Sequence, residues 1–157
     1  MKVGLYGGTF DPIHHGHLIT ASIVKEIRQL DKIILMPCYV SPLRQDERRS
    51  SPLQRFEMIA EAIVGLTGFE VSDLEIKNQN VSYTIDTLKS LKKVYSDIEL
   101  IIGFDNLLVF EKWKNPDEIF ELSTVVVLNR KSEGTATKNK YFDKAVFVET
   151  PTIEISS

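Results

Sequence analysis

The sequence predicts an α/β domain of three layers, with a mainly parallel sheet between helices. Three observations carry this. The short apolar runs "KVGLY", "DKIILMP", "IELIIG" and "STVVVLN" are rich in β-branched residues and read as strands buried on both faces. The segments between them space their apolar residues as helices do. At 157 residues, 43% hydrophobic and 26% charged, the chain suits a single globular core.

Taken in order, the first strand run leads to "HLITASIVKEIRQL", which sets Leu18, Ile19, Ser22, Ile23, Ile27 and Leu30 largely along one face of a helix broken at Asp31. In "SPLQRFEMIAEAIVG", Ser51 is an N-cap, Pro52 takes the first helical position and Gly65 closes the helix. Leu53, Phe56, Ile59, Ala60 and Ile63 form its inner face. "FEVSDLEIK" alternates as a strand, and "SYTIDTLKSLKKVY" reads as a helix starting between Ser82 and Thr84. In "NPDEIFELS", Asn115 caps, Pro116 follows, and two first-turn acids complement the helix dipole. "KAVFVET" supplies a last strand. The stretch from Tyr39 to Ser51 sets Arg44, Arg48 and Arg49 against Asp46 and Glu47, a mildly basic loop leaving the carboxyl end of a strand, where α/β proteins bind ligands. "KSEGTATKNK" is a second polar loop with no assignable chemistry.

A formal net charge of -3 predicts no broad basic surface, which disfavours nucleic acid as a partner. The single cysteine, Cys38, has no partner for an internal disulfide and is expected to pack as a small apolar residue. No run of 18 apolar residues and no signal-like start follows Met1, so the expected setting is the reducing cytoplasm, away from membranes.

The densest signal is "GGTFDPIHHGHL", Gly7 to Leu18, with three histidines in four positions. His14 and His17 could share a face, but no nearby Glu or Cys completes a zinc pattern. Gly-x-Ser-x-Gly is absent, and the segment lacks the lysine of a P-loop and the Gly-x-Gly-x-x-Gly of dinucleotide-binding folds. A phosphate grip fits better. Gly7 and Gly8 let backbone approach an anion directly after a strand, and a helix beginning near His17 aims free N–H groups and its positive dipole end at the same place. The competing structural reading is a tight turn followed by histidines that merely cap a helix.

"GGTFDPIHHGHL" resembles the signature of the nucleotidyltransferase superfamily with the (His/Thr)-x-Gly-His motif, here His14 to His17. "FEVSDLEIKNQNVSYTIDTL", "LIIGFDN" and "KWKNPDEIFELSTVVVLNR" extend the resemblance, in order and over nearly the whole chain, to the bacterial nicotinate-nucleotide adenylyltransferases. The resemblance implies a Rossmann-like fold and transfer of AMP from ATP to nicotinate mononucleotide. It implies that His14 and His17 act on the ATP phosphates and that the backbone of Gly8, Thr9 and Phe10 lines the channel between the nucleotides. Gly103 and Asp105 would meet the adenosine ribose, Thr84 the pyridine carboxylate and Trp113 the nicotinate ring. His15, at the motif's variable position, would be a bystander. Mg2+ would accompany ATP through its phosphates.

Two departures stand out. Where the family usually has Pro-Pro-His-Lys, this chain reads "VSPLRQ", with Leu43 for the histidine and Arg44 for the lysine near the mononucleotide phosphate. Ser156 and Ser157 match the two serines that open Ile-Ser-Ser-Thr-x-Ile-Arg, a segment that binds triphosphate; the threonine and arginine do not follow, so the expectation is one domain without its C-terminal helical segment. The rivals are an adenylyltransferase accepting nicotinamide mononucleotide or phosphopantetheine, and a nucleotide-binding paralogue without turnover.

Overall fold

The computed structural model describes residues 1–8, 10, 13–39, 50–129 and 139–150. Thr9, Arg44, Ser156 and Ser157 therefore lie outside the described residues, as does most of "KSEGTATKNK". Six strands, β1 (Lys2–Gly8), β2 (Lys32–Pro37), β3 (Phe69–Val71), β4 (Asp97–Gly103), β5 (Thr124–Leu128) and β6 (Val146–Val148), form one sheet in the order β3-β2-β1-β4-β5-β6. All five pairings are parallel. Six helices accompany them: α1 (His15–Ile27), α2 (Pro52–Ala62), α3 (Leu74–Asn78), α4 (Thr84–Leu91), α5 (Phe104–Leu108) and α6 (Pro116–Leu122).

The three layers follow from side-chain alternation along the strands. Ile33 and Leu35 of β2 join Ile101, Val126, Ala21, Val24 and Ile59 in one core cluster, under α1 and α2. Their neighbours Ile34 and Met36 join Leu100, Val125, Ile85, Leu88, Leu107 and Ile119 in the other, under α4, α5 and α6. The central strands are thus mostly apolar because both faces are covered, with Glu99 of β4 the buried charged exception among the described strand residues.

Four expectations change. Helix α1 starts at His15, with His14 as N-cap, and buries the narrow stripe Gly16, Ala21 and Val24, while Ile19 and Ile27 are exposed. Close seating on the sheet favours small side chains over the larger isoleucines. On α2, Ser51 and Pro52 open the helix as predicted, but Leu53 is exposed and the inner face belongs to Arg55 and Ile59. "FEVSDLEIK" pairs as a strand only over Phe69–Val71; after Ser72 donates its N–H to Leu35 O (2.9 Å) the chain turns into α3. A run that short cannot separate strand from helix by periodicity. Asn115 stands at the N-cap of α6 but in the left-handed region, φ 48°, which Asn tolerates, and its side chain makes no capping bond.

Candidate functional site

The sheet order reverses direction between β1 and β4, and in such sheets ligands bind in the crevice outside the carboxyl ends of the strands at that point. Gly8 ends β1 and Gly103 ends β4, so the two glycines flank the crevice. Phe10, just beyond, has φ 50°, a backbone conformation costing an aromatic residue about 1–3 kcal/mol unless its surroundings hold it. They do: its ring is buried, edge-on to Tyr6 (5.6 Å between centroids) and His17 (5.1 Å). Phe10 is therefore an anchor by its side chain, leaving only backbone for a ligand.

The histidines form the helix cap of the competing reading, and they do so without using the nitrogens that a ligand would meet. Gly16 N–H donates to His14 Nδ1 (3.1 Å), and His14 N–H donates to His17 Nδ1 (3.1 Å), a reciprocal capping box made of imidazoles. Because each Nδ1 accepts a backbone proton, each neutral ring carries its own proton on Nε2 and offers it as a donor. Burial first, then the neighbouring His14, hold the His17 imidazole down at about 4, so it is uncharged at neutral pH. The cap fixes the tautomer and leaves the Nε2 proton of each ring as the donor. His15 is exposed, as expected of a bystander.

On the other side of β1, the structure brings together two segments the sequence could only name separately. Thr84 opens α4, whose N-cap residue, Tyr83, makes no side-chain capping bond; Asp86 N–H turns back to Tyr83 O (3.1 Å), and the Thr84 and Ile85 N–H groups are left without a side-chain cap. Lys114 spans to this helix start: its Nζ lies 3.4 Å from Asp86 Oδ2 and 4.8 Å from the Tyr83 ring centroid. That contact ties the segment carrying Trp113 to the start of α4. Trp113 is half-buried and stacks on Phe110 (4.6 Å, 25°), so one ring face is already taken. Its indole Nε1 is buried with no hydrogen-bond partner among the described residues. A buried donor left unpaired costs about 1–3 kcal/mol, a deficit that an acceptor on a ligand would relieve. Gly103 and the exposed Asp105 lie at the β4 to α5 junction, on the crevice side, and α5 likewise opens without a side-chain cap.

Sequence reasoning missed three residues. Arg55 is fully buried and donates from Nε to Ser50 O (3.1 Å) and from Nη2 to Tyr39 O (3.2 Å), holding both ends of the segment that contains Arg44. Ser82 Oγ accepts the Tyr39 N–H (3.0 Å). Glu75 is buried on α3 and accepts from Thr87 Oγ1 (2.7 Å); burial pushes its carboxyl up to about 7, against the opposing pull of the Thr87 and Ser82 hydroxyls. No spacing signals such residues, since an arginine and a glutamate in helical segments read as solvated. The small residue Cys38 is buried as expected, with Arg55 Nη1 at 3.9 Å from its sulfur.

A parallel sheet of this order, with helices on both faces and a helix start at its switch point, defines a Rossmann-like α/β domain, and the family model agrees in kind. The chain belongs to the cytidylyltransferase-like family, whose model matches residues 5–157. More particularly, its relatives carry the name "Probable nicotinate-nucleotide adenylyltransferase", in keeping with the resemblance drawn from the motifs. One from Caldicellulosiruptor saccharolyticus is 38% identical over all of this chain and 83% of its own length. One from a Shewanella species (strain MR-7) is 45% identical over 83% of this chain, which spans 62% of that relative's length. The fold is also that of the Plasmodium falciparum nicotinic acid mononucleotide adenylyltransferase solved in complex with NaAD (TM-score 0.77, 18% identity, 98% of this chain and 77% of that one).

Proposed function

We propose that this chain transfers the adenylyl group of ATP to the 5'-phosphate of nicotinate mononucleotide, yielding deamido-NAD and pyrophosphate in NAD biosynthesis. The observation that carries the reading is the pair of imidazoles at the start of α1 whose Nδ1 atoms accept backbone N–H groups and whose Nε2 atoms are left to donate, standing at the switch point of the sheet. Support comes from the whole-length similarity to relatives named for this activity. An oxygen of the acceptor phosphate forms a bond to the α-phosphorus of ATP, the bond from that phosphorus to the oxygen bridging to the β-phosphate breaks, and pyrophosphate leaves with the electron pair. The attacking phosphate is already ionised at neutral pH, so the protein needs no general base and works by positioning and by stabilising charge.

His14 and His17 donate to the phosphates as charge moves onto the leaving group, while Gly8 and Phe10 backbone keeps the two nucleotides close. Asp105 accepts hydroxyl hydrogen bonds from the ribose beside Gly103. The open amides at Thr84 receive the pyridine carboxylate, and the face of Trp113 turned away from Phe110 receives the ring. Mg2+ accompanying ATP would supply charge neutralisation on its phosphates; the imidazole N–H and backbone amide donors of this chain suit the phosphate oxygens and would leave the cation to them. A cytoplasmic setting accords with this substrate class, and no helix among the described residues is long and apolar enough to cross a membrane.

The test is pyrophosphate release from ATP and Mg2+ with each acceptor in turn. Turnover with nicotinate mononucleotide, well above that with nicotinamide mononucleotide or phosphopantetheine, is the expected result. Binding of ATP with no product from any acceptor would sink the reading.

A further inference from the structure

The buried carboxylate of Glu75 lies where three segments meet. It sits on α3 and accepts the Thr87 hydroxyl of α4 (2.7 Å), and the Ser82 hydroxyl also favours its charged form. Ser82 in turn accepts the N–H of Tyr39, the residue that follows β2 and Cys38 (3.0 Å). Between Ser82 and Thr87 lie Tyr83 and Thr84, the N-cap and first residue of α4, where no side chain caps the helix. A helix start without its own cap is held by whatever fixes the residues on either side, and here both flanking hydroxyls turn to one carboxylate. Thr87 Oγ1 lies 3.5 Å from its own helix carbonyl, Tyr83 O, so the single hydroxyl proton is committed to the nearer Glu75.

We infer that Glu75 is a positioning residue for the acceptor: through Ser82 and Thr87 it fixes the direction of the open amides at Thr84 that receive the acceptor's carboxylate. The inference rests on the acceptor site described above. Glu75 itself is sealed in by its neighbours and touches no substrate. Its effect falls on one substrate only, because ATP is held by the α1 start and the β4 end, to which this network makes no hydrogen bond among the described residues.

The test compares Glu75→Gln, Glu75→Ala and the volume-conserving Thr87→Val with the parent chain, measuring KM for nicotinate mononucleotide and for ATP, and amide hydrogen exchange at Asp86 and Thr87, whose N–H groups close the first turn of α4 on Tyr83 O (3.1 and 3.3 Å). Loosened alignment of the helix start is expected to raise the acceptor KM about tenfold in Glu75→Ala, with ATP KM within about twofold and Glu75→Gln intermediate, as fits misplacements of well under 1 Å. Exchange at Asp86 and Thr87 should quicken in the same order. Equal changes in both KM values, or no change in either, would overturn the assignment. Should the parent chain show no turnover with this acceptor, the proposed function fails by itself, and the exchange measurement still decides the inference: unchanged rates at Asp86 and Thr87 in Glu75→Ala and Thr87→Val refute it.

Discussion

The imidazole rings of His14 and His17 lie stacked, their centroids 3.9 Å apart and their planes 24° from parallel. One ring thus shields the other from water while both spend Nδ1 on the helix cap. Capping and the proposed phosphate binding call on different nitrogens and can be separated by substitution. His17→Ala loses the cap and the donor: about 1 kcal/mol of stability, as for other lost caps, and about 10²–10³-fold in kcat, as for a lost oxyanion donor. His17→Glu restores the capping box, since Glu at this position reaches the N-cap N–H, but puts a negative charge against phosphate. Thermal melting should recover toward the parent value in His17→Glu while turnover stays lost. Turnover surviving in His17→Glu would leave the histidine with capping alone.

Stability against pH should show two opposed contributions in neighbouring windows. His17 titrates near 6.5 when unfolded and about 4 when folded, so the unfolded chain binds more protons between these values and stability falls as pH drops from 6.5 through 4. Glu75 titrates near 4.5 unfolded and about 7 folded, so the folded chain binds more protons and stability falls as pH rises from 4.5 through 7. Denaturant midpoints between pH 4 and 7 are therefore flatter in the parent than in either variant. Glu75→Gln should leave stability rising with pH, and His17→Gln should leave it falling.

Trp113→Phe keeps an aromatic ring against Phe110 and removes the unpaired indole N–H. We expect its melting temperature to stay close to the parent's, because the stack, worth about 0.5–1.5 kcal/mol, is retained. The acceptor KM should rise severalfold while ATP KM holds. A parallel rise in both would place Trp113 outside the acceptor site.

At the opposite end of the sheet, Glu99 of β4 is buried and takes both Arg28 Nε (2.8 Å) and Nη2 (3.0 Å), with Lys2 Nζ at 3.1 Å. Removing one charge of a buried cluster leaves the others uncompensated, and Glu99→Gln should cost about 3 kcal/mol in urea unfolding. Since this cluster lies near the amino end of β4 and the crevice lies at its carboxyl end, KM values of the folded fraction should not move.

Much was legible along the chain because the forces that form strands and helix starts are local. The parallel runs, the Ser51 cap with Pro52, the start of α4 and the family motifs around His14 to His17 could be read from apolar spacing and cap chemistry. The inner face of α1 was misread, since Ile19 and Ile27 are exposed where Ala21 and Val24 pack. How closely a helix sits on a sheet is a property of the pair, not of either sequence.

Short-range pattern along the chain suffices for the fold class, the family and the residue types around His14 to His17. Folding adds which nitrogen of each histidine the cap takes, the tie of Lys114 to the start of α4, and the burial of Glu75 among hydroxyls. Hydrogen-bond direction, burial and the pKa values they set arise from groups distant in sequence, such as Ser82 with Tyr39, that become neighbours only when the sheet assembles around its switch point.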